Sequence, residues 1–401
     1  MPIRPYPGHQ TDILPYKTTL RAAQPIGSRL TVPSRKPSWQ DRYRTGAIPA
    51  CNEAEYLPRC LRALAGQDTL PPHRVVLMIN NTTDQSVDTA RSLRPSLPFD
   101  LTLVEQCYSP AQASAGRARR DAMACAAALS PADAILFTTD ADAIVRSDWI
   151  AQSLSAFERY DVDAVFGRAF LDPADIALIP AHLHADDDAE LRYGALLEHM
   201  ATLLDPDPHD PWPRHAEHSG ASIAVTMAAW QRAGGIPDIR TGEDRAFYAS
   251  LRRAGLRIRH APDVVVHVSG RLVGRATGGM AETIARRIQA QDAHVDDALE
   301  SVSCRVHRIR RRLAYRTHLA AAAPSLDQVE FEALWAREEA RAPDLQPKLL
   351  ARADLECETR RALRLLAWLQ TRQMHVQDDP ADIPAASPVL SGASRPVGIP
   401  G

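Results

Sequence analysis

Residues 134–142 read AILFTTDAD. Four apolar residues in a row, Ala134 to Phe137, are the right length for a strand buried on both faces. The strand then delivers Asp140 and Asp142 to its carboxyl end. Two positions apart in extended chain, side chains point the same way, and a pair of hard oxygen donors suits Mg²⁺ or Mn²⁺. Alone, an Asp-x-Asp pair is as readily a solvated turn, so its neighbourhood has to decide.

Outward from this stretch the same grammar repeats. Thr45 to Pro49, Arg74 to Ile79, Leu101 to Glu105 and Ala164 to Gly167 read as strands. Helical patterns near Glu53 to Leu64, Ser114 to Leu129 and Trp149 to Tyr160 separate them. This alternation predicts an α/β fold, a mostly parallel, Rossmann-like sheet flanked by helices. Ligands of such sheets bind beyond the carboxyl ends of the strands. The first strand ends in PACNEAE (49–55) and the second in INNTTDQS (79–86), so chemistry is expected there and at Asp140 and Asp142.

Four segments follow from composition. Residues 1–43 carry seven prolines without an apolar period and read as a flexible arm, and residues 376–401 as a Pro-rich disordered tail. Residues 44–281 hold the α/β pattern. Residues 282–375 are Ala/Leu-rich and charged without strand signals, which predicts a helical appendage. Its basic run, Arg305, Arg308, Arg310, Arg311, Arg312 and Arg316, reads as a solvated helix face.

Bulk numbers exclude several classes. With 401 residues, 45% hydrophobic and 24% charged, the chain can bury a large core. Lys plus Arg at 47 against Asp plus Glu at 49 gives no global field that would draw it to nucleic acid. Six scattered cysteines show neither zinc nor disulfide spacing, and no stretch approaches a membrane span, so a cytoplasmic location is expected.

Downstream come HSGASIAVTMAAWQRAGG (218–235) and TGEDRAFYASLRRAGLRIRHAPDVVVHVSGR (241–271). With the strand-end Asn-Glu, the DxD pair, a small-residue loop and a Glu-Asp pair heading a helix, the chain resembles the family 2 glycosyltransferases over about residues 44–281. The resemblance implies a GT-A fold and an inverting, hexosyltransferase-type reaction, with Mn²⁺ or Mg²⁺ and a nucleoside diphosphate sugar, a UDP-sugar first among candidates. It implies Asp244 as catalytic base with Glu243 orienting the acceptor or the base, Asp140 on the nucleotide and Asp142 on the metal. Pro49, Ala50, Asn52, Glu53 and Asn80 would line the nucleotide site, with Arg117 and Arg120 toward its nucleoside or phosphates. Gly220 and Ala221, after His218 and Ser219, would underlie the acceptor, and Arg271 and Arg275 would flank a loop over the donor phosphates. His267 would be a third metal ligand.

The base role for Asp244 is also sensible chemically, because displacement at an anomeric carbon needs a base near the acceptor hydroxyl. Helix capping is the plainer reading of the same residue. Where many members carry an acidic pair after the second strand, this chain has Ile79 and Asn80, which leaves the nucleobase open. Asp186, Asp187 and Asp188 read as a solvated loop or helix start. The acceptor is open among small molecules, lipid headgroups and glycans, a glucosyl-phosphoglycerate synthase type of activity being one case. A homodimer is compatible with the sequence. Two alternatives are a noncatalytic nucleotide-sugar-binding scaffold, which intact acidic pairs disfavour, and a nucleotidyltransferase, which would carry a Gly-rich basic loop in place of PACNEAE.

Overall fold

The computed structural model describes residues 38–271, 274, 287–288, 294–296, 298–346 and 348–378, with side chains to 372. Arg275 and the loop expected around it lie outside the described residues, as do the first 37 residues and those from 379 onward.

Eight strands form one sheet in the order β3-β2-β1-β4-β7-β6-β8-β5. They are β1 (Arg44–Ala50), β2 (Arg74–Asn80), β3 (Asp100–Gln106), β4 (Ile135–Thr138), β5 (Ile144–Val145), β6 (Ala164–Leu171), β7 (Ile223–Thr226) and β8 (Ile258–Val268). The run β3-β2-β1-β4 is parallel throughout. β7 then pairs antiparallel with both β4 and β6, β6 and β8 return to parallel, and the short β5 closes the edge antiparallel to β8.

Neighbouring residues on one strand face opposite layers, which explains the unbroken apolar runs. Ile48, Leu77 and Phe137 belong to one core with Leu57, Leu61 and Phe157. Their neighbours Ala47, Val76 and Leu136 belong to the other, with Ala122, Met123, Phe166 and Phe247. The first layer is covered by α1 (Leu57–Ala65) and α4 (Trp149–Tyr160). The second is covered by α3 (Ala115–Ala128), α6 (Met227–Ala233) and α7 (Glu243–Arg253). Two further helices complete this part, α2 (Ser86–Leu93) and the long α5 (Ala181–Leu204). Ahead of β1, Trp39 stacks on Phe157 with ring centroids 4.9 Å apart, so packing begins before the first strand.

The C-terminal part is helical: α8 (Val302–Ala322), α9 (Gln328–Arg341) and α10 (Leu355–Asp378). Tyr193, Leu197 and Met200 of α5 share an apolar cluster with Val302, Leu355, Ala362 and Leu366. The basic run of α8 departs from the solvated face its composition suggested. Arg305 bonds Glu198 at 2.6 Å and Glu300 at 2.5 Å, Arg308 bonds Glu300 at 2.5 Å and Glu339 at 3.1 Å, and Arg312 bonds Asp205 at 3.0 Å. Arginine's fork can satisfy carboxylates on several elements at once, which a composition count does not register. The three aspartates after His184 lie within α5, with Asp187 paired to Arg287 and Asp186 to Arg352.

Candidate active site

The loops after β1 and β2 are clipped together by asparagines in the left-handed region, Asn52 at φ 55° and Asn81 at φ 48°, a conformation asparagine tolerates well. The Asn52 Oδ1 accepts from Thr83 N at 2.7 Å and Asp84 N at 3.2 Å. Asn81 bonds Tyr108 with both ends of its amide, donating Nδ2 to the carbonyl at 2.8 Å and accepting at Oδ1 from the N–H at 3.1 Å. Pro49 and Ala50 close β1 opposite Met78 and Ile79, and Asn80 is buried at the end of β2. Glu53 does not open the helix as the pattern suggested. Its carbonyl accepts from Tyr56 and Leu57, and α1 starts at Leu57 with Pro58 in its first turn.

The Glu53 carboxylate instead turns toward the end of β4. Arg271 grips it with two bonds of 2.7 Å and reaches Asp142 at 2.9 Å. Burial, reinforced by Asp140, pushes the Asp142 carboxyl up to about 7, with Arg271 opposing and Glu53 adding to the rise. The buried Cys60 thiol donates to the Asp140 carbonyl at 3.3 Å and is itself pushed up by burial, then by Asp142, Asp140 and Glu53. Acidic oxygens are thus concentrated where positive charge is short, and a hard divalent cation fits that donor set. Among the described residues no three His, Cys, Asp or Glu side chains form a group able to hold a metal. His267, expected as a third ligand, pairs along β8 with Ile144 and Phe170. A metal here would take its protein oxygens from Asp142 and Asp140 and complete its shell from a ligand.

Between the end of β4 and the head of α7 one guanidinium dominates. Arg119 is 5% exposed and donates Nε to Glu243 at 2.9 Å, Nη1 to Thr138 Oγ1 at 3.0 Å and to the Gly220 carbonyl at 2.8 Å, and Nη2 to Asp140 at 2.5 Å. Burial alone would lower its affinity for a proton, but Asp140 and Glu243 more than offset this and raise it. Gly220 N–H in turn donates to Asp244 Oδ2 at 3.0 Å, while Asp244 Oδ1 accepts from Arg245 N at 2.8 Å. The glycine has a physical cause, since a Cβ at 220 would lie 2.7 Å from the Arg119 guanidinium. Ala221 follows it, buried.

Arg117 and Arg120, expected toward the donor, each pair with nearby acids. Arg117 bonds Asp121 at 2.8 Å and Asp238 at 3.3 Å, and Arg120 approaches Asp238 at 3.2 Å. The sequence did hold the signal for Arg119. Positions 119, 122, 123 and 126 share one helical face, and Ala122, Met123 and Ala126 are its buried apolar residues. The segment from α5 to Gly220 is fastened to β8 by Asp210, which accepts from Arg259 at 2.9 Å and from His260 N at 2.9 Å, and pairs with His260 Nδ1 at 2.8 Å. Burial, then His260, holds His215 and His218 well below the ordinary histidine range, so both are neutral here.

Residues 47–213 match the family model described as glycosyl transferase family 2. That match supports a family 2 glycosyltransferase domain over this part of the chain. The matched span carries the ends of β1, β2 and β4 and stops before Gly220, Glu243 and Asp244. Among solved structures, the mannosyltransferase PcManGT of Pyrobaculum calidifontis, in complex with GDP-Man and Mn²⁺, is 20% identical with a TM-score of 0.42, covering 87% of this chain and 80% of that one. TarS 1–349 of S. aureus with UDP-GlcNAc is 15% identical with a TM-score of 0.43, covering 83% and 92%. The Mycobacterium tuberculosis glucosyl-3-phosphoglycerate synthase, with Mn²⁺, UDP and phosphoglyceric acid, is 14% identical with a TM-score of 0.37, covering 64% and 82%. None of the curated proteins matches the chain at a significant level. No helix among the described residues is long and apolar enough to cross a membrane.

Proposed function

We propose that this chain transfers a sugar from a nucleoside diphosphate donor to an acceptor hydroxyl by metal-assisted single displacement with inversion. The supporting observation is a chain of bonds across the site. Arg119 links donor-side Asp140 to Gly220, and Gly220 links to Asp244. The proposed base and the proposed cation site, each at a strand or helix end, are thereby joined through one guanidinium and one backbone N–H.

Asp244 takes the proton of the acceptor hydroxyl as that oxygen attacks the anomeric carbon. Asp142 and Asp140 supply oxygens to a divalent cation, and Asp140 also meets the nucleotide. Bound Mn²⁺ or Mg²⁺ neutralises the charge growing on the leaving diphosphate. Arg271 spends its fork on Glu53 and Asp142, so donor phosphate oxygens would compete with those carboxylates for it. Glu243 is buried and bonded to Arg119, which removes it as a nucleophile and favours one displacement over two. A UDP-sugar is the first donor to try, and a small molecule, lipid headgroup or glycan the acceptor. The test is a panel of UDP-, GDP- and other nucleotide sugars scored for Mn²⁺-dependent hydrolysis and for thermal stabilisation. If no donor binds or turns over, sugar transfer is ruled out.

A further inference from the structure

We propose that Arg119 is a positioning residue that keeps the base Asp244 in register with donor-side Asp140, an assignment that rests on the sugar-transfer reading above. Its bonds reach four elements: Thr138 on β4, Asp140 just beyond it, Gly220 on the loop before β7, and Glu243 at the head of α7. A guanidinium has five N–H donors, and four are engaged by the protein itself. Arg119 therefore has little left to offer a substrate, and what it does is hold the groups that meet one.

Two glycines show that the chain is shaped around this contact. A Cβ at Gly116, one turn before Arg119, would stand 2.5 Å from the Ile239 carbonyl and 3.2 Å from Glu243 Cβ, so α3 and the head of α7 approach as closely as backbones allow. A Cβ at Gly220 would strike the guanidinium itself. The carbonyl of Gly220 is fixed by Arg119, and its N–H then falls on Asp244. Moving the guanidinium would move the loop, and with the loop the oxygen that must receive the acceptor's proton.

The expected signature is a loss in turnover without a matching loss in donor affinity. With a nucleotide sugar the parent hydrolyses, Arg119→Ala should lower turnover by about 10²-fold, the scale of a displacement near 1 Å. The Kd for UDP or GDP with Mn²⁺, by calorimetry, should stay within about threefold of the parent. Added guanidinium ion should restore turnover by at least about tenfold by refilling the vacated fork. Arg119→Lys should stay impaired, because a point charge cannot span Asp140 and Glu243 together. If Arg119→Ala fails to fold, Gly220→Ala decides: it retains the charge but displaces it, and should lose turnover while keeping nucleotide affinity. Parental turnover in either folded variant overturns the assignment, and so does a nucleotide affinity that falls in step with turnover, which would make Arg119 a donor ligand. A parent inert toward every nucleotide sugar sinks the sugar-transfer reading and this one together, whereas an active parent with an unaffected variant sinks Arg119 alone.

Discussion

The crevice at the end of β4, proposed above as the active site, and the seam between α5 and α8 are built from the same residue types, arginines set between carboxylates, yet a buried carboxyl is shifted in opposite directions in the two. In the crevice, burial and the acids Asp140 and Glu53 push the Asp142 carboxyl up to about 7. At the seam, burial also works against the Glu198 carboxylate, but Arg305 and then Arg214 overcome it and hold it at about 2. At the seam the protein supplies the counter-charge itself, although Glu300 Oε2, Arg308 Nε and Arg312 Nη1 make no hydrogen bond. At the end of β4 the counter-charge falls short for Asp142, so cationic charge arriving from outside would stabilise it. Within one ion-pair vocabulary, we read the set left unsatisfied in charge as functional and the compensated set as architectural.

The largest effect is expected on the unsatisfied side. Asp244→Asn keeps the size and a hydrogen-bond acceptor for Gly220 N–H but loses basicity, so turnover should fall by about 10² to 10⁴. Nucleotide affinity, measured beside sugar transfer, should persist. Near-parental transfer would remove Asp244 from the mechanism, and lost donor binding would give it a structural or metal-linked role.

At the seam the loss should appear as stability. Arg305→Ala leaves buried Glu198 and Glu300 short of a partner and should cost about 3–5 kcal/mol in urea unfolding, with nucleotide affinity retained. A variant as stable as the parent would show that the seam is dispensable and that the two regions differ less than their charges suggest.

The two carboxyls should also respond to pH with opposite signs. Glu198 is depressed from 4.5 to about 2, so its stabilisation is complete above the unfolded value and is lost as pH falls through that window. Asp142 is raised from 3.8 to about 7, so it destabilises the fold increasingly as pH rises between those values. In chelator, Asp142→Asn should therefore melt above the parent at pH 8, by about 2 °C or more, and level with it near pH 4. Equal melting at pH 8 would mean that Arg271 already balances the crevice. The smallest effect belongs to Arg311→Ala. Its contact with Asp344 spans 3.7 Å between half-exposed side chains, and its loss should not shift the thermal midpoint measurably.

The parallel half of the sheet and the acidic pair at its centre were legible because they rest on local pattern. Apolar runs, turn residues and Asp140 to Asp142 fall within short windows. Asp244 was singled out only through the joint order of several motifs, and its role as base is a proposal. Arg119 had a readable signal in the helical face it shares with Ala122, Met123 and Ala126, but two neighbouring arginines competed with it. The Arg271 grip on Glu53 and the Asp210 anchor join residues from distant segments, and no short-range pattern announces such a pair. The basic run of α8 misled for the same reason, since its partners Glu198, Asp205 and Glu339 lie on three other elements.

The strand order also sets a timetable for synthesis. The parallel run β3-β2-β1-β4 needs nothing beyond Thr138, so half of the sheet can pair while the rest of the chain is still on the ribosome. β7, β6 and β8 join it only later, and Asp142 waits until position 271 has emerged for the arginine that faces it. Until then Asp140 already has Arg119, but Glu53 and Asp142 lack the arginine that pairs with them, beside the still unpaired edge of β4, where the second half of the sheet must dock. Slow codons or a pause before β8 would prolong that interval, and a cellular cation bound early at the acidic end would shorten the exposure of its charge.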